Sequence, residues 1–238
     1  MSSPARAHGS AAAQAPPQPR LDGPGEDARP GTLREETRVL FRPIRPWDKA
    51  RLLDAFERLS PTSRYRRFLA PVQVLSEEQL RYFSEPDFVD HVAWVAELPE
   101  LPGRPLAGVG RWIRSRTDPQ IAEIALTVVD AYQHQGLGTR LLRLLADSAA
   151  RRGVRTFEAW VLYDNQPMRA ILRAFGPASV RLEGNVLLFH LPIPSTCPGA
   201  GRPGRVGPSP GHRRQWAARS SPASLQGGSP VVGMSASG

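Results

Sequence analysis

Residues 130–153 read DAYQHQGLGTRLLRLLADSAARRG, with Gly136 and Gly138 one residue apart and a proline-free apolar stripe behind them. Glycine removes the Cβ where a helix begins and lets another group come close to the backbone. The first N–H groups of a helix have no internal partner, and the helix dipole adds partial positive charge there. A phosphate or pyrophosphate is therefore held at such a mouth without any lysine. Arg140 lies a turn further on, placed to meet a second phosphate, whereas Arg143 reads as part of a solvated helix face. Two other phosphate loops are excluded. A dinucleotide-binding turn requires a third glycine at position 141, which is Leu, and several βαβ units where this chain has one. A triphosphate loop ends in Gly-Lys-Ser/Thr, and Lys49 is the sole lysine of the chain. A phosphate cradle and a plain strand-to-helix turn are both compatible with the glycines alone.

The elements that must position this loop follow from periodicity. RVLFRPIR (38–45) is a first strand, and WDKARLLDAFERLS (47–60) sets Leu52, Leu53, Phe56 and Leu59 at helical spacing. PTSRYRRFLA (61–70) is a second short helix with Pro61 in its first turn. Ser76 and Gln79 make a capping-box pair at the head of SEEQLRYFS. HVAWVAEL (91–98) and PLAGVGRWIR (105–114) are the arms of a hairpin, and IAEIALTVV (121–129) is a further strand. The helix behind the glycines runs from about 136 to 152, followed by a strand, VRTFEAWVL (154–162), and a helix, NQPMRAILRAF (165–175). SVRLEGNVLLFHLPI (179–193) closes the domain as a hairpin turning at Glu183-Gly184-Asn185. There is no internal repeat. This order predicts a mixed α/β or α+β layered fold.

Composition bounds the rest. Residues 1–34 and 195–238 are rich in Pro, Gly, Ser and Ala and lack hydrophobic periodicity. Such segments cannot bury enough apolar surface to offset the entropy of ordering and are expected to be disordered. One domain, 35–194, remains. The formal charge of +9 suggests nucleic acid, but residues 35–194 hold 22 basic against 19 acidic groups, and the tail carries five Arg and no acid. Nucleic acid is accordingly not expected as a partner. Cys197, the only cysteine, excludes an internal disulfide and suits a reducing cytoplasm. The five His have no metal-ligand spacing, so no metal is expected. No apolar stretch reaches the length of a membrane span. The sequence leaves the oligomeric state open.

Taken with their surroundings, the glycines resemble those of the GNAT (Gcn5-related) N-acetyltransferase superfamily. Its acyl-CoA motif, Gln/Arg-x-x-Gly-x-Gly/Ala, is matched by Gln133-His134-Gln135-Gly136-Leu137-Gly138 directly after a strand, with Thr139 and Arg140 behind it. YDNQPMRAILRAFG places Asn165 and Met168 as that family does at the mouth of the next helix. The resemblance covers about 38–193, and the front half is closest to bacterial protein-lysine acetyltransferase domains. It implies a central, mostly antiparallel sheet with helices on both faces.

It also implies direct transfer of acetyl from acetyl-CoA to a primary amine, with a protein lysine as the favoured acceptor. A small-molecule amine such as a polyamine, amino acid or antibiotic is the alternative acceptor, and a non-catalytic acyl-CoA-binding module the alternative to an enzyme. Glu123, in AEI, stands where related enzymes place a catalytic glutamate; in a partly apolar cleft its pKa rises and it can take the amine proton. The main chain at Thr127, Val128 and Val129 is implied to pair with the pantetheine arm, and a backbone N–H of that strand to stabilise the thioester oxyanion. Asn165 is implied to bond pantetheine, to cap its helix, or both. Many relatives carry a tyrosine as general acid where this chain has Leu172; Tyr163 is nearby but reads as a strand-end residue. The acidic run Glu77, Glu78, Glu85, Asp87 and Asp90 suits a cationic acceptor, but reads first as a solvated, well-capped surface.

Overall fold

An eight-stranded sheet forms the frame. The computed structural model describes residues 28–33 and 36–194. The strands are β1 (Arg29–Thr32), β2 (Arg38–Pro43), β3 (His91–Glu97), β4 (Leu106–Arg114), β5 (Ile121–Val128), β6 (Thr156–Leu162), β7 (Ser179–Glu183) and β8 (Val186–Pro192), in the spatial order β1-β2-β3-β4-β5-β6-β8-β7. Every neighbouring pair is antiparallel except β5 and β6. That parallel ladder has only three rungs, Ile121–Thr156, Ala122–Phe157 and Glu123–Glu158. Beyond Glu123 the two strands part, while β5 stays paired with β4 as far as Val128.

Helices cover both faces, as the layered reading requires. On one face lie α1 (Lys49–Glu57), α2 (Pro61–Phe68) and α3 (Glu77–Ser84). Their apolar sides meet Ala93, Val95 and Val109 around Phe56, Phe68 and Phe83. On the other lie α4 (Leu137–Arg151) and α5 (Gln166–Phe175). Leu137, Leu141, Leu142, Leu145 and Ala149 form the buried stripe of α4, packed with Trp94, Trp112, Phe157 and Phe189. The helix starts are set locally. Ser60 accepts from Ser63 N–H at the head of α2, with Pro61 in its first turn, and Ser76 and Gln79 close a capping box on α3.

The elements read from periodicity are all present, with ends shifted by a few residues. The stretch 47–60 begins as a 3-10 turn, Pro46–Asp48, before α1, and the second helix stops where Leu69 turns left-handed (φ 53°). One element differs in kind. Residues 29–32, assigned by composition to the N-terminal extension, form β1 against β2. RPGT has no alternation to betray a strand. It is held from outside, by Arg140 Nη2 donating to Pro30 O at 2.9 Å and by Gly31 lying on the Phe41 ring. Proline is tolerated at such an edge. The rest of the extension, the Arg-bearing tail from 195 and Cys197 lie outside the described residues.

The β2 strand is bolted to α1 and β3 by a buried ion network. Arg42 donates to Asp48 through Nη1 (2.6 Å) and Nη2 (2.8 Å), and to Glu97 through Nε (2.8 Å). Arg51 and Arg104 complete the neutralisation of Glu97.

Candidate active site

Where β5 and β6 part, a cleft of about 440 Å³ opens. Its walls are β5 from Glu123 to Val128, β6 from Ala159 to Val161, Gln133 and His134 of the loop, the helix start from Gly136 to Thr139, one side of α5, and Ser63, Arg66 and Arg67 of α2. The exposed edge of β5 has a definite polarity. Val129 N–H donates to Ala107 O at 2.9 Å. Main-chain groups in an antiparallel strand alternate in direction, so Thr127 also turns toward β4, and Ile124, Leu126 and Val128 turn toward the cleft. The Val128 carbonyl is occupied, accepting from Gln133 Nε2 at 3.1 Å.

Glu123 stands at the fork itself. It shares a sheet face with Ala125 and Thr127, the face on which α2 packs against β5. Burial pushes its carboxyl up to about 8; the neighbouring Glu158 carboxylate adds to the rise, and the Arg67 guanidinium opposes it. A carboxylate with such a pKa is a competent proton acceptor near neutral pH.

The loop at the far end is built to present N–H groups. Gly136 is the N-cap of α4 in a left-handed conformation (φ 86°) and brings no side-chain cap to the helix. The first-turn N–H groups of Leu137, Gly138 and Thr139 therefore lack the usual capping partner, and these residues line the cleft. His134 is also left-handed (φ 60°). Gly138 answers a second demand, since a Cβ there would lie 2.8 Å from Ile171 Cδ1 of α5. The loop is anchored to α2. Gln133 Nε2 donates to Ser63 Oγ (3.3 Å), Ser63 Oγ donates to Asp130 Oδ1 (2.8 Å), and Ser60 N–H donates to Asp130 Oδ2 (3.0 Å). These bonds outweigh desolvation and hold the Asp130 carboxyl below its usual range.

Glu123, Thr127, Val128, Gln133, His134, Gly136, Leu137, Gly138, Thr139 and Asn165 thus meet around one cleft. Asn165 also caps α5, accepting from Met168 N–H at 3.3 Å. Three expected residues do not line it. Val129 spends its N–H on Ala107 and its side chain on the core under α1–α3. Gln135 donates back to Ala131 O (3.3 Å). Arg140 turns away to β1, its guanidinium 5.1 Å from the centre of the Phe41 ring. Leu172 is 0 % exposed and belongs to the core, and Tyr163 is 57 % exposed beneath Arg169. Three residues of the acidic run have structural partners: Glu77 pairs with Lys49, Asp87 accepts from the N–H groups of Val89, Asp90 and His91, and Asp90 holds Arg114, while Glu78 and Glu85 are exposed.

Arg66, Arg67, Ser63, Tyr132 and Trp160 also line the cleft, and no motif in the sequence marks them. Only the β5–β6 register and the docking of α2 reveal them; arginine is so abundant here that its type carries no signal. Among the described residues, no three His, Cys, Asp or Glu side chains gather as a metal site, and no helix is long and apolar enough to cross a membrane.

Comparison with known proteins bears on this cleft. Residues 53–176 match the model of the acetyltransferase (GNAT) family. The chain is 35 % identical over 154 residues to acetyltransferase Pat of Mycolicibacterium smegmatis, covering 65 % of this chain and 45 % of that protein. It therefore spans less than half the length of Pat. It is 32 % identical to acetyltransferase PA5475 of Pseudomonas aeruginosa, covering 61 % of this chain and 77 % of that one. Among solved structures, the GNAT domain of S. lividans PAT superposes with a TM-score of 0.63 at 30 % identity, covering 70 % of this chain and 97 % of the domain.

Proposed function

The chain belongs to the GNAT family of acetyltransferases, and from that premise we propose that it moves acetyl from acetyl-CoA to the ε-amine of a protein lysine. The observation that carries the reading is the conjunction at one cleft of an unpaired strand edge, an uncapped helix N-terminus and a buried glutamate. The N–H groups of Leu137, Gly138 and Thr139 would hold the CoA pyrophosphate. The cleft-facing main chain of Leu126 and Val128 would pair with the pantetheine arm as an added strand does. A β5 N–H would meet the thioester oxygen as it becomes negative. Asn165 fixes the α5 end of the cleft.

Glu123 takes the proton from the acceptor ammonium, and the free amine attacks the thioester carbonyl. Position 172 offers no side-chain acid. A thiol is acidic enough for its thiolate to depart with little help near neutral pH, and water relays to it one of the two protons that the amine nitrogen sheds. The lysine acceptor is supported by the likeness to Pat, and we place the enzyme in the cytoplasm.

Transfer of label from acetyl-CoA into a cell lysate, resolved into protein and small-molecule fractions, tests the reading, with Glu123→Gln as control. Label in protein, lost in the variant, is the expected result. Label in the small-molecule fraction would move the function to a metabolite or drug amine. No label in either fraction, with acetyl-CoA still bound, would leave a non-catalytic acyl-CoA-binding module.

A further inference from the structure

A row of polar groups crosses the sheet on the face that carries Glu123. The register sets Glu123 of β5 beside Glu158 of β6, Glu158 beside His190 of β8, and His190 beside Ser179 of β7. Residues in register on adjacent strands project from the same face, and the strands lie about 4.8 Å apart. His190 Nδ1 is 3.4 Å from Glu158 Oε1, and the two side chains are 28 % and 12 % exposed. The row thus runs from the cleft toward solvent. The next register pair on this face, Trp160 and Leu188, is apolar. A second carboxylate beside a buried glutamate is costly to the fold, and binding of acetyl-CoA gives it no task.

We propose that Glu158 and His190 carry away the proton that Glu123 takes from the acceptor amine. The inference rests on acetyl transfer to an amine being the reaction. In that reaction the N–C bond forms and the C–S bond breaks. The ammonium gives up two protons: one ends on the CoA sulfur and one is surplus. The surplus proton passes from Glu123 to the Glu158 carboxylate beside it in register, then to His190 Nδ1, and Nε2 releases another to solvent. Glu123 is then ionised for the next turnover. The direction follows from what faces each group. On the α2 side Glu123 meets the Arg67 guanidinium, which does not accept a proton, and on the β6 side it meets a carboxylate, which does. His190 meets Glu158 on one side and uncharged Ser179 on the other, and Arg181 further along β7 is engaged by Glu183.

The test uses the full chain, labelled acetyl-CoA and the lysate fraction that takes label, at saturating acetyl-CoA in dilute buffer, with and without added 4-methylimidazole. His190→Gln is expected to lower the rate about tenfold, a modest share of what proton transfer contributes, and the added base to restore it. Glu158→Gln is expected to lower the rate similarly and to move the acid limb of the pH–rate profile to lower pH, because the like charge beside Glu123 is gone. Acetyl-CoA affinity, read by calorimetry, is expected to stay within about twofold for both, since neither residue lies where CoA would bind. A His190→Gln rate that is unchanged, or that falls without responding to the base, overturns the relay. Should Glu158→Gln fail to fold, His190→Gln at the more exposed end decides alone. An inactive wild type would sink the acetyltransferase reading, whereas an active wild type with indifferent variants would sink only the relay.

Discussion

Glu123 is where folding and chemistry pull in opposite directions. Its ordinary pKa of 4.5 rises to about 8 in the folded chain. Between those values the folded state holds a proton that the unfolded state has lost, so stability falls as pH rises through that window. Above it the carboxylate is ionised, as the proposed transfer requires of its base. Glu123→Gln is therefore expected to raise the melting temperature at pH 8 by a few degrees and to leave it unchanged at pH 4, as thermal denaturation at the two pH values will read. The same variant is expected to lose about 10²–10⁴-fold in turnover with acetyl-CoA affinity intact, and to lose the rise in rate centred near pH 8. The resemblance of the strand that carries AEI, directly ahead of the glycine loop, to the family's own strand is what points to this residue. Its partner at position 158 has no such mark, because TFEAW gives no sign of which residue on another strand it will meet. Only the parallel register supplies that neighbour.

At the scale of elements, the loop from Asp130 to Thr139 is a rigid clasp. Gly136 must sit left-handed, at a cost of about 1–2 kcal/mol to any residue with a Cβ, yet open space surrounds it. Gly136→Val is thus expected to weaken acetyl-CoA binding at least tenfold, by calorimetry, while lowering stability by no more than that strain. Gln133→Ala removes one bond from the Val128 carbonyl and one from the Ser63 hydroxyl, which keeps its bond to Asp130. Amide exchange should quicken from Asp130 to Gly136, and the KM for acetyl-CoA should rise more than kcat falls. Asn165→Ala removes the cap of α5 and is expected to cost about 1 kcal/mol of stability, measured by urea denaturation. Helices and strands with a full apolar period are readable in the sequence because each buries one side against a partner. Ser76 with Gln79, and Pro61 in a first turn, mark two helix starts for the same local reason. β1 and the outward turn of Arg140 escape such reading because each depends on the other, across 110 positions of chain. An arginine next to a phosphate motif looks like a ligand until the sheet edge it grips is seen.

Across the whole molecule, the sheet works as two plates joined at three rungs. The larger plate is secured at β2 by Arg42, whose guanidinium neutralises Asp48 and Glu97 out of contact with water. Arg42→Met leaves both carboxylates short of their main partner, and removal of one member of a buried pair typically costs about 3–5 kcal/mol. Chemical denaturation should show that loss, with activity per folded molecule retained because the network lies away from the cleft. The short joint between the plates has a pharmacological corollary. The groups it leaves unsatisfied are amides of the β5 backbone, which amino-acid replacement along the strand does not delete. An inhibitor that imitates an extended peptide would draw its potency from that edge and its selectivity from whatever it extends toward Trp160 and Glu158. Resistance would have little to act on in the first portion and would collect in the second.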